Sequence, residues 1–262
     1  MSERGEAVDA RASRAKPRPE GRVCERGRRP ISSRSGNGTP TRRPHELLPR
    51  KRGGTPMMWF LRNWDQVAVA LWEHIVISAT SLSIAFAVSL VVGILAARHE
   101  RVFRWALGVS GFLYTIPTLA FLALLIPVVG LGRTNAIICM VAFSLMIMIR
   151  NVATGIREVP ADVIDAAKGM GMGAGEILRR IELPLALPVI VAGLRIATVT
   201  VISVAVVAAY VNAGGLGTLI FSGISSDHAP KIWTGALIAC VLAVIADLGL
   251  ARLEHWLRGR AE

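Results

Sequence analysis

The chain has 262 residues, 53% of them hydrophobic, with positive mean hydropathy. That composition, with apolar runs long enough to cross a bilayer, excludes an ordinary soluble domain and places the chain among integral membrane proteins. The formal charge of +12 does not indicate a nucleic-acid partner, because residues 1–56 carry 15 Lys and Arg against 6 Asp and Glu, and residues 57–262 carry 15 against 12.

Residues 1–56 are rich in Arg, Pro, Gly and Ser and show almost no apolar periodicity, so they are expected to be disordered. They contain no 7–15-residue apolar stretch of the kind a secretory signal peptide needs. A basic arm can bind nucleic acid or anionic lipid. The reading preferred here is that translation starts at Met57 or Met58, leaving a membrane domain over 57–262 with lipid, not nucleic acid, around it.

The first span is predicted over Ile75 to Ala97, preceded by Trp59, Trp64 and Trp72 near an interface. A basic loop with Arg98, Arg101 and Arg104 follows. The second span covers Trp105 to Val129 and holds Pro117 and Pro127, which remove backbone donors and should kink or break it. A turn, Gly130-Leu-Gly-Arg133, leads to a third span over Asn135 to Ile149. The fourth runs from Leu185 to Tyr210 and ends at Asn212-Ala-Gly-Gly-Leu-Gly217, with a short helix over Leu216 to Ile224. The fifth is Ile232 to Leu250, before a basic amphipathic tail. The fold class is therefore all-α, with about five transmembrane helices. Cys139 and Cys240 read as small apolar packing residues. With Cys24 they form no metal-ligand or disulfide pattern, so no metal site is expected.

Five spans put the loops 98–104 and 150–184 and the C-terminal tail on one side, with eleven Lys and Arg, against Arg133 and Lys231 on the other. The basic side is expected to be cytoplasmic, with the start of the membrane domain outside.

Between the third and fourth spans lies a polar stretch, Asp165 to Pro184. Its pattern predicts two short amphipathic helices joined by a glycine-rich bend. Asp162 and Asp165 lie in the first turns of one, where carboxylates suit the dipole, and Asp165 is a candidate cap. Ile177, Leu178 and Ile181 form an apolar edge of the other, with Glu176 and Arg180 as an i,i+4 pair. Pro184 can occupy the first turn of the next helix but should stop this one. Ala166 and Ala167 offer a small, flat surface for close approach of another protein. Gly171 permits the bend.

The spacing Asp165-Ala166-Ala167, Gly171, Ile181, Leu183 and Pro184 resembles the "EAA" coupling loop of permease subunits of bacterial ABC importers, with Asp165 in place of the usual Glu. Tyr114 to Ala120 with Pro127, Arg150 to Ile156, and Asn212 to Gly217 are similar to segments of glycine betaine, choline and carnitine permeases. The resemblance implies a type I permease fold in the bacterial inner membrane, ATPase subunits docked at the Asp165 loop, a second permease copy or paralogue, and an extracytoplasmic solute-binding protein. ATP and Mg²⁺ would sit on the ATPase and no cofactor on this chain. Permeases for methionine or other amino acids share the Gly-Gly-Leu-Gly feature.

The four lysines, Lys16, Lys51, Lys168 and Lys231, stand in no Walker context, and no catalytic constellation lies near membrane depth. The chain is therefore expected to be a transport subunit, not an enzyme. A passive channel or ion-coupled carrier is the other reading, which the docking loop and the lack of a proton relay disfavour. Pathway candidates are Tyr114, whose ring could face a quaternary ammonium, Pro117 and Pro127, which could open backbone carbonyls, and Gly214, Gly215 and Gly217, read as a turn with positive φ. Arg195 and Asp247 are the two charges inside spans. Either they pair, or Arg195 snorkels to the interface.

Overall fold

The computed structural model describes residues 55–261. Cys24 and the expectations placed on the basic segment before Thr55 lie outside the described residues. A short helix α1 (Pro56–Arg62) leads into α2 (Trp64–Arg98), a 35-residue helix without proline that carries the first span. It is longer than the apolar run because Trp64, Asp65 and Glu73 continue the same helical track outward. Trp64 and Trp72 therefore sit on this helix instead of preceding it.

The second span is broken. The helix α3 (Glu100–Thr115) and the 12-residue α4 (Thr118–Val129) meet at 100°. The break follows from Pro117: steric conflict with the proline ring drives the preceding residue out of the helical region, and Ile116 is extended. Pro127 does not break its helix. It lies two residues before the end of α4, where little ladder remains to be lost. The bent pair still runs the length of the bundle: Glu100 meets Arg157 beside the Arg98 end of α2, and Arg133, just after α4, meets Glu73 near the other end.

The third span is α5 (Arg133–Arg157), entered through Gly130 and Gly132 at positive φ. Asn135, fully buried, closes that turn by donating to the carbonyl oxygens of Leu122 and Gly130. The polar loop holds α6 (Ala161–Gly169) and α7 (Ala174–Ile177), then a π-helical turn, Leu178–Glu182, running straight into α8 (Leu183–Ala208). Pro184 thus does not stop the second short helix. It occupies the first turn of α8, beside a π turn that has already shifted the hydrogen-bond register. After the glycine-rich loop, α9 (Leu216–Ser225) precedes α10 (Ala229–Ala261), in which the fifth span and the basic tail are one unbroken helix.

The core forms around α5. Phe121 and Leu122 of α4, Met140 and Phe143 of α5 and Val201 and Ala205 of α8 make one cluster; Val152 and Ile156 of α5 meet Ala186 and Ile190 of α8 in another. Small residues allow this approach. A Cβ on Gly93 of α2 would come within 2.6 Å of Val152, and one on Gly155 within 3.1 Å of Val189. In lipid such close van der Waals packing, not the hydrophobic effect, holds helices together. Cys139 is buried in this core, whereas Cys240 is exposed on α10.

Candidate functional site

The polar loop is built as its sequence pattern requires. The helix α6 ends in a Schellman arrangement, with the Gly171 N–H donating to Lys168 O (2.9 Å) and the Met172 N–H to Ala167 O (3.1 Å). Gly171 sits at φ +82°, with open space where a Cβ would project, so the demand for glycine comes from its backbone angle, not from crowding. Glu176 and Arg180 pair at 2.9 Å.

Two local roles differ from expectation. Asp165 is the fifth residue of α6 and caps nothing; Pro160 stands at the N-cap. Its carboxylate is exposed and accepts from Lys168 at 3.0 Å. Ala167 is fully buried, so Ala166 alone offers a small surface outward, while Ala167 lets α6 lie close to its own chain. Ile181 and Leu183 are half-buried and Pro184 is exposed.

At the opposite end of the bundle, Gly214 and Gly215 take φ +91° and +81°, and Asn212 joins them at +60°. Gly217 does not share this turn. It lies in the first turn of α9, where a Cβ would collide with the Val206 carbonyl, so its smallness serves packing. Glu73 of α2 fastens the loop: one carboxylate oxygen accepts from Arg133 (2.6 Å), the other from the Gly215 N–H (3.1 Å). His74, buried, lies against Gly215.

At the broken span, the Tyr114 ring meets Phe143 at a tilt of 57° with centroids 5.5 Å apart, and Phe143 meets Phe121 edge-on at 5.9 Å. Phe121 and Phe143 are buried and Tyr114 is 41% exposed, so only the tyrosine offers a free ring face; the trio braces the break and is not an open cage. Arg195 of α8 and Asp247 of α10 meet in a two-pronged ion pair, Nε to Oδ1 at 2.5 Å and Nη2 to Oδ2 at 2.9 Å. Glu254, which also accepts from Arg258, lies 3.6 Å from Arg195.

The sequence reading missed Glu73, His74, Asn135 and Glu182. Glu73 and Glu182 stand at the edges of spans, where an acidic residue looks like an ordinary loop charge until its distant partner is known.

Four helices long and apolar enough to cross a membrane, a bent helix pair that together can make a fifth span, and a polar helix–bend–helix loop feeding α8 define a multi-pass membrane protein. The chain belongs to the family of binding-protein-dependent transport system inner membrane components, whose pattern matches residues 89–259. A carnitine transport permease of Listeria monocytogenes, OpuCB, is 36% identical over 203 residues, covering 78% of this chain and 93% of its own. The glycine betaine/carnitine/choline permease OpuCD of Bacillus subtilis (strain 168) is 38% identical over 198 residues, covering 75% and 86%. The choline permease OpuBD of the same organism is 39% identical over 200 residues, covering 76% and 88%. Inward-facing structures of the MetNI methionine ABC transporter share the fold, with a TM-score of 0.66 at 23% identity over 78% of this chain and 99% of theirs. The fold is thus that of a type I ABC importer permease, the chain is a transport component of the inner membrane and not an enzyme, and the family implies ATPase partner subunits.

Proposed function

We propose that the chain forms half of the translocation pathway of an ATP-driven importer for an osmoprotectant such as glycine betaine, choline or carnitine. The observation that carries the mechanism is the exposed α6–Gly171–α7 loop, continuous through one turn with the membrane helix α8. A protein that moves α6 and α7 pulls directly on a span. The names of the osmoprotectant permease relatives support the substrate class. The exposed apolar faces of α4 and α10 support assembly with a second permease, either a copy or a paralogue. ATP and Mg²⁺ act on the ATPase subunits, which dock on the Asp165 loop, and an external solute-binding protein delivers the substrate. Closure of the ATPases would displace the loops and alternate access.

The loop and C-terminus face the cytoplasm in this reading, and the Glu73–Gly215 end faces outward, on the asymmetry of Lys and Arg. An impermeant reagent should reach a tag inserted between Gly223 and Lys231 in intact cells but not one after Glu262; the reverse pattern would defeat this orientation.

The function is tested by Gly171→Asp in the complex reconstituted with ATPase and binding protein. The variant should insert normally but lose ATPase association or the stimulation of ATP hydrolysis by loaded binding protein. Glycine betaine, carnitine, choline and methionine are assayed in parallel. If association and stimulation are unchanged, the loop is not the coupling element; stimulation by methionine alone would replace the substrate class.

A further inference from the structure

We propose that Glu182 and Arg98 are a positioning pair that carries movement of the Asp165 loop into α2, and through α2 to the Glu73–Gly215 end. The proposal rests on the reading of that loop as the ATPase-coupling element. Position 182 lies between Ile181 and Leu183 and belongs to no part of the recognised spacing. It nevertheless holds the one buried acidic side chain among the described residues, at 1% exposure. Its Oε2 accepts a hydrogen bond from Arg98 Nη2, at the last residue of α2. Arg98 reaches in from a half-exposed position. A buried carboxylate with one cationic partner is expensive to leave unpaired, so the pair resists separation when either element moves.

The local geometry supports a mechanical role. Glu182 ends the π-helical turn, a feature that often marks functional positions in helices. The turn buries Glu182 while Arg179 and Arg180 stay exposed. Leu178 and Leu183, on either side, pack into the cluster that holds Leu90 and Ile94 of α2 with Val152 and Ile156 of α5. Arg157 of α5 grips the same end of α2, donating to the Ala96 carbonyl at 2.7 Å. From Arg98, α2 runs without proline back to Glu73, about 37 Å at 1.5 Å per residue. There Glu73 holds both Arg133 and the Gly215 N–H. One stiff helix thus joins a buried ion pair at the loop to the hydrogen bonds that fasten the glycine turn.

The test uses the complete permease–ATPase complex with the native cysteines replaced and Thr218→Cys introduced beside the glycine turn. The readouts are copurification of the ATPase and the ATP-driven change in labelling of Cys at 218 by an impermeant maleimide. In Glu182→Gln and in Arg98→Gln the ATPase should remain bound, while the labelling change shrinks about fivefold or more, the low end of typical coupling between sites. The exchange Arg98→Glu with Glu182→Arg should restore most of it. An undiminished change in the single variants would overturn the proposal, as would release of the ATPase or absence of any ATP-driven change in the parent. If the single variants fail to insert, the exchange decides: an inserted exchange variant that responds to ATP supports the pair, and one that does not refutes it. Gly171→Asp, run alongside, tests the loop reading separately, because its failure appears as retained ATPase association with retained stimulation.

Discussion

The helices α5 and α10 are almost equally apolar, yet the protein treats them differently. In its most apolar window α5 has 56% of its residues buried, and α10 has 6%. In water such a contrast would be read as hydrophobic against polar. In a bilayer, lipid tails accept an apolar side chain as readily as a protein core does, so apolarity cannot sort the two. Close approach from several neighbours sorts them: α5 is packed by α2, α3, α4 and α8, whereas α10, although its Gly235 lies tight against Ile220, packs on α1, α8 and α9. Around α5, Gly93 of α2 and Gly193 of α8 bring backbones together, with Val152 and Asn151 filling the space a side chain would need. On α10, Leu237, Val241, Ile245 and Leu248 point away from the bundle. One ion pair network, Arg195 with Asp247 and Glu254, ties α10 to α8.

The sharpest way to break this comparison is to add volume to each helix surface. Gly93→Leu drives a side chain into Val152, and the expected cost is about 3 kcal/mol or more, at the upper end for overpacking. Thermal unfolding of the purified protein checks it, and Val152→Ala should return part of the loss. Leu248→Trp on α10 should change stability by less than ~0.5 kcal/mol, as for surface substitutions generally. A tolerated Gly93→Leu would remove α5 from the centre of the bundle.

A smaller effect is expected from Asp247→Asn, which leaves the Arg195 guanidinium with only the more distant Glu254. Folded yield should fall, and Arg195→Asp combined with Asp247→Arg should recover part of it. A harmless Asp247→Asn would mean that α10 is held by packing alone.

The smallest effect belongs to Asp165→Ala. The carboxylate caps no helix and shares an exposed i,i+3 pair with Lys168, so stability should drop by only about 0.2–0.5 kcal/mol. ATPase association measured by pull-down should weaken less than in Gly171→Asp. A loss as large as that of Gly171→Asp would assign Asp165 a direct contact with the ATPase.

Much of the architecture could be read from the chain. Length and apolarity of the runs marked the membrane class and the four unbroken spans, because a bilayer demands about 20 apolar residues per helix. Pro117 announced the broken span, since the residue before a proline resists the helical region. The bend at Gly171, the pair Glu176–Arg180 and the turn at Gly214 and Gly215 were equally legible, because each is settled within a few residues. Tertiary structure alone decided the rest. Nothing local says that Glu182 is buried against Arg98, that Glu73 holds both Arg133 and Gly215, or that Ala167 turns inward while Ala166 faces out. Nor does apolarity say which helix is central. These outcomes depend on which backbones approach one another, and in a solvent that is itself apolar that choice rests on shape and on pairing of scarce charges across distant parts of the chain.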